Sequence, residues 1–274
     1  MKKDIWKRIA AVLGIIVLLA AVCLPMVFAF GSGEGAAGRF RASLGAAILV
    51  PVMAYVIWMV YRILSRSRGA EPDGTIRNIV FDVGNVLVSY DWESYLKSFD
   101  FPPEEYQAIA KAVFLSDVWN ERDRGLRTDE EYLADFIAGA PEYESDIRLI
   151  MQDIRKVILP RDYAPVWTRL LKEKGYHLYI LSNYSETTLE ETKPMMEFLQ
   201  YMDGMVFSCE EKQIKPEPEI YQTLISRYQL DPSRCVFIDD REENCAAARR
   251  VGMQAIRFES LRQADAELKK LGVE

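Results

Sequence analysis

Ile76-Arg77-Asn78-Ile79-Val80-Phe81-Asp82-Val83-Gly84-Asn85-Val86 is the stretch on which the fold turns. Ile76 to Phe81 is a short run rich in β-branched and aromatic residues, which predicts a buried strand. It stops at Asp82, just before a Gly-Asn pair of the kind that turns a chain. Working outward, four similar runs occur at His177–Leu181, Gly204–Ser208, Cys235–Ile238 and Gln254–Phe258. Helical patterns lie near Tyr163–Lys174, Glu186–Phe198, Pro218–Tyr228, Glu242–Val251 and Leu261–Leu271. Strands alternating with helices predict an α/β fold, a parallel sheet covered on both faces. One segment breaks the alternation: Asp91 to Arg161 reads as wholly helical. Thr128-Asp129-Glu130-Glu131 within it is a helix-start signal, a Thr with a Glu three residues on. This predicts an all-helical cap over one edge of the sheet.

Ligands of open α/β sheets bind beyond the carboxyl ends of the strands, so the residues just past each strand carry the chemistry. Asp82-Val83-Gly84-Asn85-Val86 comes after the first and Ser182-Asn183 after the second. Lys215-Pro216-Glu217-Pro218 lies in the loop after the third, and the fourth ends in Asp239-Asp240 with Asn244 four residues later. A carboxylate, a hydroxyl, a cation and a carboxylate pair thus fall in order at one rim. The set resembles the haloacid dehalogenase (HAD) superfamily, from about Ile76 to Gly272. Phe-Asp-Val-Gly-Asn-Val-Leu-Val and Val-Phe-Ile-Asp-Asp-Arg-Glu-Glu-Asn are especially similar to its glucose-1-phosphatase-like, sugar-phosphatase subgroup. That resemblance implies a Rossmannoid parallel sheet, a helical cap inserted after the first strand, and phosphoryl transfer through an aspartyl-phosphate. Trp119-Asn120-Glu121-Arg122-Asp123-Arg124-Gly125 resembles a cap element of the subgroup.

The residue types permit that chemistry. Asp82 is expected as the nucleophile. Attack of an anion on an anion calls for Mg²⁺, which takes oxygen ligands. Asp82, Asp240 and the Gly84 carbonyl fit that need, with Asp239 direct or through water. Ser182 and Asn183 are expected to hold phosphoryl oxygens, and Lys215 to neutralise charge and steady Asp82. Asn244 and Arg241 read as site support and a helix start. One position departs from the superfamily's usual pattern. Most of its phosphatases carry a general acid/base Asp two residues after the nucleophile, where this chain has Gly84, as does the subgroup it resembles. Glycine offers a carbonyl but moves no proton, which implies slower turnover, a good leaving group, or an acid from the cap.

Two other readings stay open. A dehalogenase of the same fold would have no use for the Asp239-Asp240 pair. A catalytically silent HAD domain, acting as a membrane-tethered scaffold or binding module, has Gly84 in its favour.

The composition of the whole chain hides its organisation. With 274 residues, 34 Lys+Arg, 41 Asp+Glu and a mean hydropathy of −0.08, it reads as an ordinary globular protein. That excludes a disordered chain, a collagen-like repeat, a disulfide scaffold and a uniformly basic nucleic-acid binder. Yet Ile9 to Gly33 runs 25 positions without a formal charge, and Ala42 to Tyr61 runs 20. About 20 apolar helical residues cross a bilayer. Two spans are therefore expected, at about 9–30 and 42–62, within an N-terminal hairpin of residues 1–64. A cleaved signal peptide before one span is the alternative. Lys2, Lys3, Lys7 and Arg8 before the first run, and Arg62, Arg66 and Arg68 after the second, place the N-terminus and the catalytic domain in the cytoplasm.

Residues 65–75 read as a linker before the domain at 76–274, whose cap is expected at about 91–161. Residues 1–71 carry nine basic against three acidic groups, which leaves the remainder at a net −13. No nucleic-acid partner is expected for so acidic a domain. Cys23, Cys209, Cys235 and Cys245 show no metal spacing and read as reduced thiols. His177, the only histidine, heads a strand and reads as structural.

Overall fold

The strand that leads into Asp82 sits at the centre of a five-stranded sheet. The computed structural model describes residues 75–274, all within Pro72–Glu274, the second of the two units into which the chain divides. The expected membrane spans and nearly all of the linker lie outside the described residues. Among the described residues, no helix is long and apolar enough to cross a membrane.

In chain order, β1 is Asn78–Phe81 and β2 is Val88–Tyr90. Next come α1 (Trp92–Lys97), α2 (Pro103–Ala112), α3 (Asp117–Arg122), α4 (Asp129–Gly139), α5 (Glu144–Gln152) and β3 (Ile158–Pro160). They are succeeded by α6 (Tyr163–Glu173), β4 (His177–Ser182), α7 (Glu186–Thr192), β5 (Gly204–Phe207) and the single turn α8 (Ser208–Glu211). The chain closes with α9 (Pro218–Tyr228), β6 (Cys235–Asp239), α10 (Glu242–Arg250), β7 (Gln254–Arg257) and α11 (Leu261–Lys270).

Five strands form a parallel sheet in the order β5-β4-β1-β6-β7. The chain builds outward from β1 through β4 to β5, then crosses back to β6 and β7. The order therefore reverses between β1 and β6, the switch point at which such sheets open a ligand crevice. Burial explains the composition of β1: Ile79, Val80 and Phe81 are all inaccessible to solvent. Ile79 and Phe81 join the larger apolar cluster with Leu178, Ile180, Val236 and Ile238. Val80 points the other way, among Tyr179, Leu181, Phe237, Ile220 and Leu224. Phe81 meets Trp167 of α6 edge-on at 5.1 Å. Truncating such a ring to alanine costs about 3–5 kcal/mol.

The insert between β1 and β4 is helical apart from its stem, a correction to the all-helical expectation. β2 and β3 pair antiparallel, Val88 with Pro160 and Tyr90 with Ile158. Val157-Ile158-Leu159 presents no polar face to a helix, and Pro160 stops one. A proline also shortens the helix expected at Glu186–Phe198. The α-helix ends at Thr192, and 3₁₀ turns at Lys193–Met195 and Glu197–Tyr201 come next, around Pro194. The capping box at Thr128 and Glu131 forms at the start of α4 as its spacing predicts.

Candidate active site

Parallel register converts four separated motifs into one site. Phe81 lies opposite Ile180 of β4 and Ile238 of β6, and the Asp82 N–H donates to the Ile238 carbonyl (2.9 Å). Asp82, Ser182, Asp239 and Asp240 therefore leave their strands at one level.

Lys215 lies at the heart of the site, with its side chain 1% exposed. Its Nζ donates to Asp82 Oδ1 and to Asp239 Oδ2, each at 2.7 Å. The loop that carries it is fixed from below by Asn183. The Asn183 Oδ1 accepts from the Lys215 N–H (2.8 Å), and its Nδ2 donates to the Lys215 carbonyl (3.0 Å). Ser182 Oγ also donates to Asp82 Oδ1 (2.7 Å). Both protein donors thus converge on Oδ1, while Oδ2 lies 4.0 Å from where a Cβ on Gly84 would stand. Burial lifts the Asp82 carboxyl to about 7, against the pull of Lys215 and with a further push from Asp239. Burial pushes the Lys215 ammonium down, but Asp239 and Asp82 outweigh it and hold its pKa above the ordinary value.

Asp239 is a positioning group in this arrangement. It is fully buried, and both its oxygens are occupied. Oδ2 accepts from Lys215 and Asn244 Nδ2. Oδ1 accepts from the Arg241 N–H and the same Asn244 amide. Asp240 is more open. Its Oδ2 accepts from Asn85 Nδ2 (2.9 Å), and burial raises its pKa against that hydrogen bond. Asn85 adopts a left-handed conformation at φ 56° and also accepts from the Tyr90 N–H (3.1 Å), tying the start of the stem to Asp240.

Ligand atoms of Asp82, Asp239 and Asp240 lie within 4.8 Å of one another. Three carboxylates against the single Lys215 leave an excess of negative charge that a divalent cation would balance. The donors are hard oxygens, the set that suits Mg²⁺. Asp82, and Asp240 through its second oxygen, are available to such an ion, whereas both oxygens of Asp239 already accept hydrogen bonds.

A cavity of about 420 Å³ lies over these groups. Its floor is Asp82, Gly84, Asn183, Lys215 and Asp240; Trp92, Phe114, Trp119 and Tyr90 wall the cap side, beside Asn120, Arg122 and Asp123. The turn after α3 clasps cap to core. Buried Arg122 donates to Ser185 Oγ (2.7 Å) and Thr188 Oγ1 (3.2 Å), and to Asp129 (3.0 Å). Arg124 makes a two-pronged pair with Glu217 (2.7 and 2.8 Å), two residues from Lys215. Lys212 Nζ donates to the Gly125 carbonyl (2.7 Å). Gly125 has φ +68°, and a Cβ there would stand 3.0 Å from that Nζ, so only glycine closes the turn.

All seven residues expected at the site are brought together. Ser182 and Asp239 lie beneath the cavity rather than on its wall, hydrogen-bonded to Asp82 and Lys215. Asn183, expected on phosphate, spends Oδ1 and one amide proton on the Lys215 backbone. Asn85 and Asp123 carried no separate signal in the sequence beyond their motifs. His177 stands at the far end of β4 beside Asp203 (3.5 Å), well away from this chemistry, and Cys209, Cys235 and Cys245 are buried free thiols.

Sheet, cap and carboxylate–lysine centre define a capped α/β hydrolase. The sequence matches the haloacid dehalogenase-like hydrolase family over residues 76–252. The chain belongs to that family. It is 24% identical to flavin mononucleotide hydrolase 1 of Arabidopsis thaliana over 71% of this chain and 77% of that protein. It is 25% identical to D-ribitol-5-phosphate phosphatase of Bacteroides thetaiotaomicron, over 68% of this chain and 93% of that one. Among solved structures, a HAD family enzyme of B. thetaiotaomicron in complex with magnesium and inorganic phosphate superposes with a TM-score of 0.56 at 25% identity, over 68% of this chain and 96% of that one. The chain is thus an enzyme, a hydrolase with phosphatases among its relatives.

Proposed function

We propose that the full chain is a membrane-anchored, Mg²⁺-dependent phosphatase that hydrolyses a small phosphate ester through an aspartyl-phosphate on Asp82. The carrying observation is the asymmetry of Asp82: Lys215 and Ser182 hold Oδ1, while Oδ2 is left toward Gly84 and the cavity. That is how a carboxylate is aimed for attack. Asp82 Oδ2 forms the bond to phosphorus, the ester oxygen leaves, and water then releases phosphate from Asp82. Lys215 holds the nucleophile in place and balances charge on the transferring group, and Asn183 keeps Lys215 there. Asp82, Asp240 and the Gly84 carbonyl would hold Mg²⁺, which would supply positive charge to screen one anion from the other.

A sugar phosphate is the expected substrate. Asn120 beside the rings of Trp92 and Trp119 offers a hydroxyl partner next to apolar faces, and the ribitol-phosphate phosphatase among the relatives supports a polyhydroxylated leaving group. Anchoring and cytoplasmic placement rest on the two uncharged N-terminal runs and their basic flanks. The test is phosphate release by the full chain with Mg²⁺ across a panel of phosphate esters, alongside fractionation of cells expressing it. Release that survives Asp82→Asn refutes the nucleophile, and a chain found in the soluble fraction refutes the anchor. Gly84 favours one second reading, a silent binding module. Its mark would be no release from any ester, nor from the activated anhydride acetyl phosphate.

A further inference from the structure

Breaking a phosphate ester leaves an electron pair on the departing oxygen, which needs a proton unless the alcohol is acidic. Gly84 has none to give. Among the described residues, the carboxyl groups that line the cavity are Asp82, Asp123 and Asp240. The first is the nucleophile and the third faces the cation position. Asp123 reaches the same cavity from the cap, directly after α3. Its backbone is fixed at both ends: the N–H donates to the Glu121 carbonyl, and the carbonyl accepts from Ser208 Oγ. Its carboxylate, by contrast, takes part in no hydrogen bond or ion pair among the described residues. The clasp of Arg122, Arg124 and Gly125 on either side fixes this turn against the core beside the cavity.

We propose that Asp123 is the general acid and base of this site, giving the leaving oxygen from the cap the proton that Gly84 cannot. The proposal rests on the phosphatase reading and names the group that completes it. Desolvation lifts the Asp123 carboxyl to about 7; Arg122 opposes that, Asp82 adds to it, and Lys215 and Arg241 pull it down again. A carboxyl held there is protonated often enough to donate and ionised often enough to accept. Tyr90 is the competitor, because its hydroxyl is buried beside the cavity without a partner. Burial and the neighbouring Asp123 push that phenol far above its ordinary pKa. It therefore offers a hydrogen bond and keeps its proton.

In the first half-reaction, Asp82 Oδ2 bonds to phosphorus as the bond to the ester oxygen breaks. That oxygen keeps the electron pair and takes the Asp123 proton, leaving as the alcohol. In the second, the Asp123 carboxylate takes a proton from water as its oxygen bonds to phosphorus and the Asp82 bond breaks. Phosphate departs, with Asp82 ionised and Asp123 protonated as at the start.

The test compares leaving groups on the full chain with Mg²⁺. Asp123→Asn should lower kcat/KM, which reports transfer to Asp82, for an alkyl phosphate by about 10²–10⁴-fold. It should lower kcat/KM for p-nitrophenyl phosphate, whose phenolate departs unaided, by less than about 10-fold. From acetyl phosphate the variant should still phosphorylate Asp82, and should hold more phosphoenzyme at steady state because the attacking water has lost its base. Gly84→Asp on the Asp123→Asn background should recover at least about 10-fold on the alkyl ester, since 4.0 Å separates a Cβ at Gly84 from its nearest neighbour. Equal losses in kcat/KM on both esters, or a loss on the alkyl ester that lies wholly in KM, overturns the proposal. A wild-type chain inactive even on acetyl phosphate overturns the phosphatase reading and the acid with it.

Discussion

Lys215→Met removes the cation that holds the two buried carboxylates apart while preserving the bulk of the side chain. At an effective dielectric of about 20, each 2.7 Å contact carries about 6 kcal/mol of attraction. Taking the charges out of water cancels much of that, and breaking such a buried group from one side costs about 3–5 kcal/mol net. For a unit near 200 residues, one kcal/mol moves the melting temperature by about 2–4 °C, so the variant should melt roughly 6–20 °C lower. The loss should depend on pH. The Asp82 carboxyl sits at about 7 in the fold against 3.8 unfolded. The folded state therefore binds the extra proton, its benefit is complete below about 4, and it is lost as pH rises through about 7. Without Lys215 that pKa climbs further, and the deficit grows toward alkaline pH. Melting curves of wild type and variant, in chelator, between about pH 5 and 8 read both effects. A shift under about 2 °C, or a deficit that is flat across that range, would refute the reasoning.

Three further outcomes are expected from the same geometry. Asn183→Ala should destabilise by about 1–3 kcal/mol through the two lost bonds to the Lys215 backbone, and lower kcat more than it raises KM, as melts and steady-state kinetics will show. Gly125→Ala should cost about 1–2 kcal/mol for its left-handed backbone and loosen the clasp of the cap, seen as faster proteolysis between α3 and α4. Mg²⁺ at about 100 times its Kd should add about 2.7 kcal/mol, or roughly 5–11 °C. That gain should be larger above pH 7, where Asp82 has lost its proton, and should vanish in Asp240→Asn.

The core was legible because the central strands are buried on both faces and so announce themselves as unbroken apolar runs; Ile79-Val80-Phe81 and Cys235-Val236-Phe237-Ile238 are of this kind. Asp82, Lys215 and Asp240 were legible because they end such runs or come soon after them. The stem was not. Val88–Tyr90 and Ile158–Pro160 are three residues each and pair across nearly seventy positions, a partnership no local periodicity encodes. The hydrogen bonds of Asn183 to the Lys215 backbone and of Asp239 to Lys215 and Asn244 were not legible, since sequence order puts a side chain at a rim without saying which neighbour claims its hydrogen bonds. Asp123 was hidden for a related reason. In sequence it is one charge among Glu121, Arg122 and Arg124. Only the docking of the turn pairs its neighbours off and leaves its carboxyl facing the cavity.

The central claim is that Asp82 carries the phosphoryl group. Incubating the full chain with acetyl phosphate and Mg²⁺, quenching, and reducing with borohydride converts an aspartyl-phosphate to homoserine, which peptide mass spectrometry locates. The expected result is homoserine at residue 82, absent from Asp82→Asn and absent without Mg²⁺. Phosphate released with residue 82 unmodified, or homoserine at another aspartate, would contradict the account.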